Sequence, residues 1–254
     1  MMIDTHAHLS NEDYNNIDEI VKKMGSNIII VSGSNTKNNK EVLSLIEKYN
    51  NVYGTLGIHP EEVDSVNDDD LKFIEENINN PKIIGIGEIG LDFYWTKDNK
   101  EKQIEIFIKQ LMIAKKHNKT VVVHSRDSAN DTYNILKEHF NGGKIVIHCY
   151  SYSLEMAYNF IEMGAMLGIG GVLTFKNSTK LKEIVEKIDI KNLLLETDSP
   201  YLSPEPLRGK INEPYNIVYI AEKMAEIKEI TLEKVFTETT ENACRQFDLH
   251  LDIC

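Results

Sequence analysis

Eight short apolar runs rich in β-branched residues recur along the chain, and segments with apolar residues three and four positions apart separate most of them. Runs of the first kind are typical of buried strands, and the second spacing is typical of amphipathic helices. The predicted strands span residues 3–5, 28–31, 52–56, 83–86, 121–123, 145–147, 165–169 and 193–195. Alternation of strand and helix repeated eight times predicts an α/β fold, a closed (β/α)8 TIM barrel inside a ring of helices.

The segment after the eighth unit, TLEKVFTETTENACRQF, predicts an extra C-terminal helix with Thr231 as its N-cap. A chain of 254 residues has the size of a barrel with one core, so residues 1–254 are expected to form a single domain. An open doubly wound sheet is the structural alternative. The distribution of polar residues described below favours the barrel.

Composition limits the class of function. A formal net charge of -12 argues against a protein that coats nucleic acid through a broad excess of Lys and Arg, so any contact with nucleic acid is expected to be local. The chain has no apolar stretch long enough to span a bilayer, and MMIDTHAHL lacks the basic-then-apolar pattern of a secretory leader, so no leader is expected. Cys149, Cys244 and Cys254 follow no metal or redox spacing. A cytoplasmic protein without a membrane partner is therefore expected.

Histidines and carboxylates stand where predicted strands end. His6 and His8 are two positions apart and point to one side of their strand, and Glu88 follows a buried run rich in glycine. Six such residues lie at the carboxyl ends of predicted strands one, four, five, six and eight: His6, His8, Glu88, His124, His148 and Asp198. Because the carboxyl ends of barrel strands form one rim, the six side chains are expected to converge there. For any one of them, a hydrogen-bonded structural role is the alternative.

The residue types predict a metal centre. Four imidazoles and two carboxylates suit Zn, Mn, Ni or Fe, whereas Mg prefers more oxygen ligands. Six ligands exceed the need of one tetrahedral ion, so two divalent ions bridged by Glu88 are expected, with open positions for water and a phosphate oxygen. Asp92 could be a further ligand, but a role that supports a ligand or caps a loop is favoured.

In its ordered motifs the sequence resembles the TatD-type deoxyribonucleases, a branch of the amidohydrolase-like metal hydrolases. The matching motifs are DTHAHL, GIHP, GEIGLD, VVVHSRD, IVIHC, ETDSPYL, PLRGKINEP and TTENACRQF, which cover nearly the whole chain. The resemblance implies a (β/α)8 barrel and metal-dependent hydrolysis of DNA, often as a 3'-5' exonuclease on single-stranded or damaged ends, as in DNA repair. It also implies that the six residues named above are the metal ligands.

Roles for further residues follow from this expected chemistry. Asp198 is the favoured general base, and Glu88 is the second catalytic carboxylate. Arg126, Arg208 and Lys210 are candidate phosphate contacts, because guanidinium and ammonium groups bind phosphate oxygens. For each of them, a solvated surface charge is the alternative. His59, which precedes Pro60, is expected to touch the substrate or to cap a loop. The expected partner is single-stranded DNA, and a monomer is expected.

Two other functions are open at this point. The barrel of this superfamily also hydrolyses C–N and ester bonds, as in cyclic amides or D-aminoacyl-tRNA. Many cyclic-amide hydrolases of the superfamily bridge their metals with a modified lysine on the fourth strand, where this chain has Glu88, so the phosphodiesterase is favoured. The other alternative is a non-catalytic barrel that binds nucleic acid, which the intact ligand set and the acidic chain disfavour.

Overall fold

A computed structural model describes residues 1–96 and 98–251, so the prediction about Cys254 lies outside the described residues. Eight parallel strands pair in chain order from β1 to β8. A backbone bridge between Ala7 and Ser199 joins the last strand to the first, and the N–H of His8 donates to the carbonyl of Ser199 at 2.7 Å. The strands are β1 (Ile3–Ala7), β2 (Ile28–Ser32), β3 (Val52–Leu56), β4 (Ile83–Asp92), β5 (Thr120–Arg126), β6 (Ile145–Ile147), β7 (Ala165–Ile169) and β8 (Leu193–Leu195). The predicted (β/α)8 barrel is confirmed.

Helices follow the strands. They are α1 (Ile17–Met24), α2 (Thr36–Lys48), α3 (Asp68–Asn77), α4 (Lys100–Lys116), α5 (Ala129–His139), α6 (Leu154–Glu162), α7 (Thr179–Lys187), α8 (Ile217–Lys228) and α9 (Leu232–Phe247). The predicted extra C-terminal helix is α9, and the Thr231 side chain accepts a hydrogen bond from the backbone N–H of Lys234 as an N-cap. Helix α8 was not identified from the sequence. Within the described part of the chain, every helix is too short or too polar to cross a bilayer.

Strands β3, β6, β7 and β8 begin and end where the sequence predicts, whereas the other four run further towards their carboxyl ends. Strand β4 is the longest, because its glycines allow close pairing with β5. Gly90 has φ +141°, and a Cβ at this position would lie 1.9 Å from the backbone oxygen of His124. Only glycine fits this close approach. As a result His124 pairs with Gly90 inside the sheet, and Glu88 lies in the irregular stretch of β4 between the paired residues Ile86 and Ile89.

Helix α9 closes the amino-terminal end of the barrel. Phe247 is buried there against apolar side chains from inside the sheet, such as Ile3 and Val146. The Thr120 hydroxyl donates to the backbone oxygen of Gln246 at 2.6 Å, and the Gln246 side chain donates to the carbonyl of Ile145 at 2.7 Å. The extra helix therefore satisfies backbone groups at one end of the barrel and leaves the carboxyl-terminal mouth as the open end.

We predict that Phe247→Ala lowers the free energy of unfolding by about 3–5 kcal/mol, because it leaves a cavity between α9 and the barrel interior. Glu241→Ala, at an exposed position of the same helix, is the matched control and should change stability by less than about 0.5 kcal/mol. Chemical denaturation of the three proteins measures both effects. Equal stability of Phe247→Ala and the wild type would contradict the proposed closing role of α9.

Candidate metal centre

The ring nitrogens of the first two histidines are held by one residue of β2. The Ser32 hydroxyl lies 3.1 Å from Nδ1 of His6, and the Ser32 carbonyl oxygen accepts a hydrogen bond from Nδ1 of His8 at 3.0 Å. Both Nε2 atoms therefore face each other at the barrel mouth, 3.1 Å apart. Partners of this kind fix the tautomer and the orientation of a ligating histidine. Sequence reasoning assigned nothing to this strand end, because a lone serine carries no ligand signal.

Glu88 completes a triangle with these two nitrogens. Its Oε2 lies 3.4 Å from Nε2 of His6 and 3.3 Å from Nε2 of His8. Two ligand atoms bound to one tetrahedral zinc at ~2.0–2.1 Å are ~3.4 Å apart, so the three atoms have the spacing of neighbouring ligands on a single ion. Oδ1 of Asp198 lies 3.9 Å and 3.7 Å from the same nitrogens. The four groups fit a divalent ion, and we call this place the first metal position.

The other oxygen of Glu88 faces a second set of histidines. Its Oε1 lies 2.9 Å from Nδ1 of His124, 3.7 Å from Nε2 of His148 and 3.6 Å from Nε2 of His59. The rings of His59 and His124 meet edge to face with centroids 4.5 Å apart. We call this place the second metal position. His59 was expected only near the substrate, but its nitrogen lies within ligand distance of Glu88 and His124.

Two further carboxylates hold the histidines of the second position. Glu196, fully buried, places Oε1 3.0 Å from Nδ1 of His148 and accepts a hydrogen bond from the backbone N–H of Cys149 at 2.6 Å. Asp92 places Oδ2 2.9 Å from Nε2 of His124. Asp92 therefore supports a histidine, which is one of the roles considered from the sequence. The role of Glu196 was not recognised from the sequence, because only the fold shows that it faces His148.

The carboxylates determine the charge of these histidines. Burial alone would lower the pKa of His148, but Glu196, Glu88 and Asp198 outweigh it and raise the pKa to about 10. Burial is outweighed in the same way at His124, where Asp92 and Glu88 raise the pKa to about 9. At neutral pH these rings carry protons on atoms that a divalent ion would bind. Protons and metal therefore compete, and metal affinity is expected to rise with pH.

Both metal positions open into a cavity of about 830 Å³ at the barrel mouth, which Trp95, Arg126 and Tyr201 also line. Among its described lining residues, Arg126 is the single Arg or Lys. The other two predicted phosphate contacts, Arg208 and Lys210, stand in the loop after β8 and are not among the residues that line the cavity. The Arg208 guanidinium lies over the Phe175 ring, 3.8 Å from its centroid. Substrate contacts of Arg208 and Lys210 stay a prediction.

Known proteins are similar to this chain in sequence and in fold. The sequence profile of the family described as TatD related DNase matches residues 3–248. The chain belongs to this family. A relative from Bacillus subtilis, the uncharacterized metal-dependent hydrolase YabD, is 39% identical, and the alignment covers 98% of this chain and 100% of that protein. The uncharacterized metal-dependent hydrolase MJ1582 of Methanocaldococcus jannaschii is 36% identical, with 98% of each chain covered.

A solved structure supports the same family. The crystal structure of YjjV, a TatD homolog from Escherichia coli, superposes on this TatD-family chain with a TM-score of 0.89. The two sequences are 27% identical, and the superposition covers 98% of each chain. The similarity therefore spans the whole barrel, including its mouth.

For this TatD-family chain we predict that Ser32→Ala weakens binding of Mn²⁺ about 10- to 100-fold, because His6 loses the partner that orients its ring. Ser34→Ala is the matched control: Ser34 lines the same cavity, but its hydroxyl donates to Asn38 instead of approaching a histidine. Calorimetric titration of the metal-stripped proteins measures the affinities. If Ser32→Ala binds Mn²⁺ as tightly as Ser34→Ala, Ser32 does not position His6.

Proposed function

We propose that the chain is a divalent-metal-dependent hydrolase of DNA phosphodiester bonds, acting as a 3'-5' exonuclease on single-stranded or damaged ends. The observation that carries the proposal is that the two carboxylate oxygens of Glu88 face two different groups of histidines. Membership of the TatD-related DNase family supports DNA as the substrate. The names of the curated relatives support metal-dependent hydrolysis.

The residues of the two positions divide the proposed work. His6, His8, Asp198 and one oxygen of Glu88 would hold one ion, and His124, His148 and the other oxygen of Glu88 would hold the second. Zn, Mn and Ni suit this mixed nitrogen and oxygen set, and Mg suits it less well. When bound, the ions supply Lewis-acid chemistry: they lower the pKa of a water molecule and neutralise charge on the phosphate oxygens. His59 stands beside the second position, where it contacts the substrate.

Asp198 is the proposed general base. Its backbone N–H donates to the carbonyl of His6 at 2.9 Å, which fixes the residue at the rim between β8 and β1. Burial raises the pKa of its carboxyl, although His148 and His8 oppose the shift. A carboxylate with a raised pKa accepts a proton more readily, and this one faces the space between the two positions. Asp198 therefore takes the proton of the attacking water.

Charge on the cavity wall supports binding of the phosphate near Arg126. Besides Asp92, which faces His124, five acidic side chains outside the ligand set line the cavity: Glu12, Asp13, Glu41, Glu61 and Glu62. They stand on the segments that follow β1, β2 and β3, whereas Arg126 ends β5. A polyanion therefore meets its favourable contact on the β5 side. Arg208 and Lys210 are proposed to contact phosphates further along the strand.

Hydrolysis of a cyclic amide or of D-aminoacyl-tRNA is the alternative chemistry. The bridging lysine of many cyclic-amide hydrolases has no counterpart here, since β4 carries Glu88 and the described residues that line the cavity include no lysine. Dihydroorotate and D-aminoacyl-tRNA therefore serve as comparison substrates. Turnover of these two without cleavage of DNA would overturn the proposal.

We predict that metal-reconstituted wild-type protein shortens end-labelled single-stranded DNA one nucleotide at a time, and that Asp198→Asn lowers turnover more than about 100-fold. Asn keeps the volume of the side chain but neither its charge nor its proton-accepting capacity. Product ladders on denaturing gels measure the rate and the direction of cleavage.

The matched control is Glu62→Gln, which removes a carboxylate from the same cavity outside the ligand set and should keep turnover within about threefold of the wild type. Metal content is measured for each protein, so that loss of an ion is distinguished from loss of the base. Substantial activity of a metal-loaded Asp198→Asn protein would show that another group activates the water.

A further inference from the structure

Trp95 is the one tryptophan of the chain, and 66% of its surface is exposed at the rim of the cavity that holds both metal positions. Tyr94 beside it is also exposed. Large aromatic side chains are commonly found exposed where a protein binds a partner or a ligand, because covering them with a flat apolar surface is favourable. The position of Trp95 in the cavity wall indicates that such a surface belongs to the substrate.

A cation is packed against this aromatic pair. The Arg126 guanidinium lies 3.8 Å from the centroid of the Tyr94 ring and 5.4 Å from that of Trp95. The two rings meet edge to face with centroids 4.8 Å apart. We call Tyr94, Trp95 and Arg126 together the stacking platform. It combines an exposed π-face with a positive charge, the two features that recognise a base and its phosphate in single-stranded nucleic acid.

The stacking platform is attached to the second metal position. Oδ1 of Asp92 accepts a hydrogen bond from the backbone N–H of Tyr94 at 2.9 Å, while Oδ2 lies 2.9 Å from Nε2 of His124. The backbone N–H of Phe93 donates to the carbonyl of Arg126 at 2.9 Å. Arg126 itself follows His124 by two residues on β5. One carboxylate and one strand therefore hold the platform in a fixed place relative to the ligands, which lowers the cost of ordering it on binding.

We propose that one unpaired base stacks on Trp95 while the phosphate of its nucleotide contacts Arg126, so that the stacking platform selects single-stranded ends. The inference rests on the proposed function, whose substrate it specifies. Inside a duplex both faces of a base are covered by its neighbours, so a paired base reaches Trp95 only after the end frays. The acidic side chains that follow β1, β2 and β3 line the other side of the cavity, so they also favour approach of the phosphate from the Arg126 side.

A cycle of two proteins and two substrates tests the contact. The substrates are a single-stranded oligonucleotide and the same strand with abasic sugars in its terminal nucleotides. We expect Trp95→Ala to lower kcat/KM on the normal strand about 5- to 100-fold, mainly through KM. The wild type should lose a similar factor in kcat/KM when the bases are removed from the substrate. Trp95→Ala should then lose little further activity on the abasic strand, because the contact is already absent. Trp95→Phe should recover part of the activity, since it keeps an aromatic face.

The control variant is Tyr158→Ala, which removes an exposed aromatic ring from α6, on the outer ring of helices, and should leave both rates unchanged. Losses by Trp95→Ala that are equal on the two substrates would overturn the proposal, because they would show that Trp95 acts without the base. No loss on the normal strand would also overturn it.

Fluorescence of Trp95 gives a readout that does not need catalysis, since the chain has no other tryptophan. Addition of a nuclease-resistant phosphorothioate single strand to the metal-loaded protein should quench the emission, and its abasic counterpart should not. If the wild type cleaves no DNA but the base-dependent quenching occurs, the proposed nuclease function is wrong, whereas stacking of a base on Trp95 is supported. Equal quenching by both strands, or none, would overturn the platform.

Discussion

A single buried carboxylate organises the mouth of this barrel. Glu88 is 4% exposed, and burial of an unpaired charge at such a place costs several kcal/mol, roughly, unless cations or hydrogen bonds compensate it. Here histidines surround both of its oxygens, and their electrostatic attraction outweighs burial and holds the pKa of Glu88 well below its usual range. The same arrangement that keeps Glu88 ionised prepares two places for divalent ions. Ser32, Asp92 and Glu196 then orient the rings that face it.

Stability and chemistry lie at opposite ends of the sheet. Helix α9 closes the amino-terminal end with apolar packing and with hydrogen bonds to backbone groups, while the carboxyl ends of the strands carry the predicted ligands and the loops that line the cavity. This division is general for (β/α)8 enzymes, in which the loops at one face vary without disturbing the core. The rim is itself divided: apart from the predicted ligands and Asp92, its acidic side chains follow β1 to β3, whereas Arg126 ends β5. A substrate with a negatively charged backbone is therefore expected to approach the cavity from the Arg126 side.

Much of this was predictable from the sequence. Each predicted ligand lies at or shortly after the end of an apolar run, so the predicted barrel alone places His6, Glu88, His148 and the others at one rim. In the structure these side chains lie close together. The orienting role of Ser32 could not be predicted, because it depends on how β1 and β2 pair. For the same reason the contact of Glu196 with His148 and the place of His59 beside Glu88 required the fold. The full length of β4 was missed because glycine is disfavoured in strands, although here it allows the close pairing with β5.

The shared role of Glu88 is the central claim, and anomalous scattering from crystals of the protein reconstituted with Mn²⁺ tests it most directly. We expect two peaks on opposite sides of the carboxylate. One should lie within bonding distance of Oε2, His6 and His8, and the other within bonding distance of Oε1, His124 and His148. A single peak, or two peaks of which only one contacts Glu88, would contradict the bridged two-ion centre.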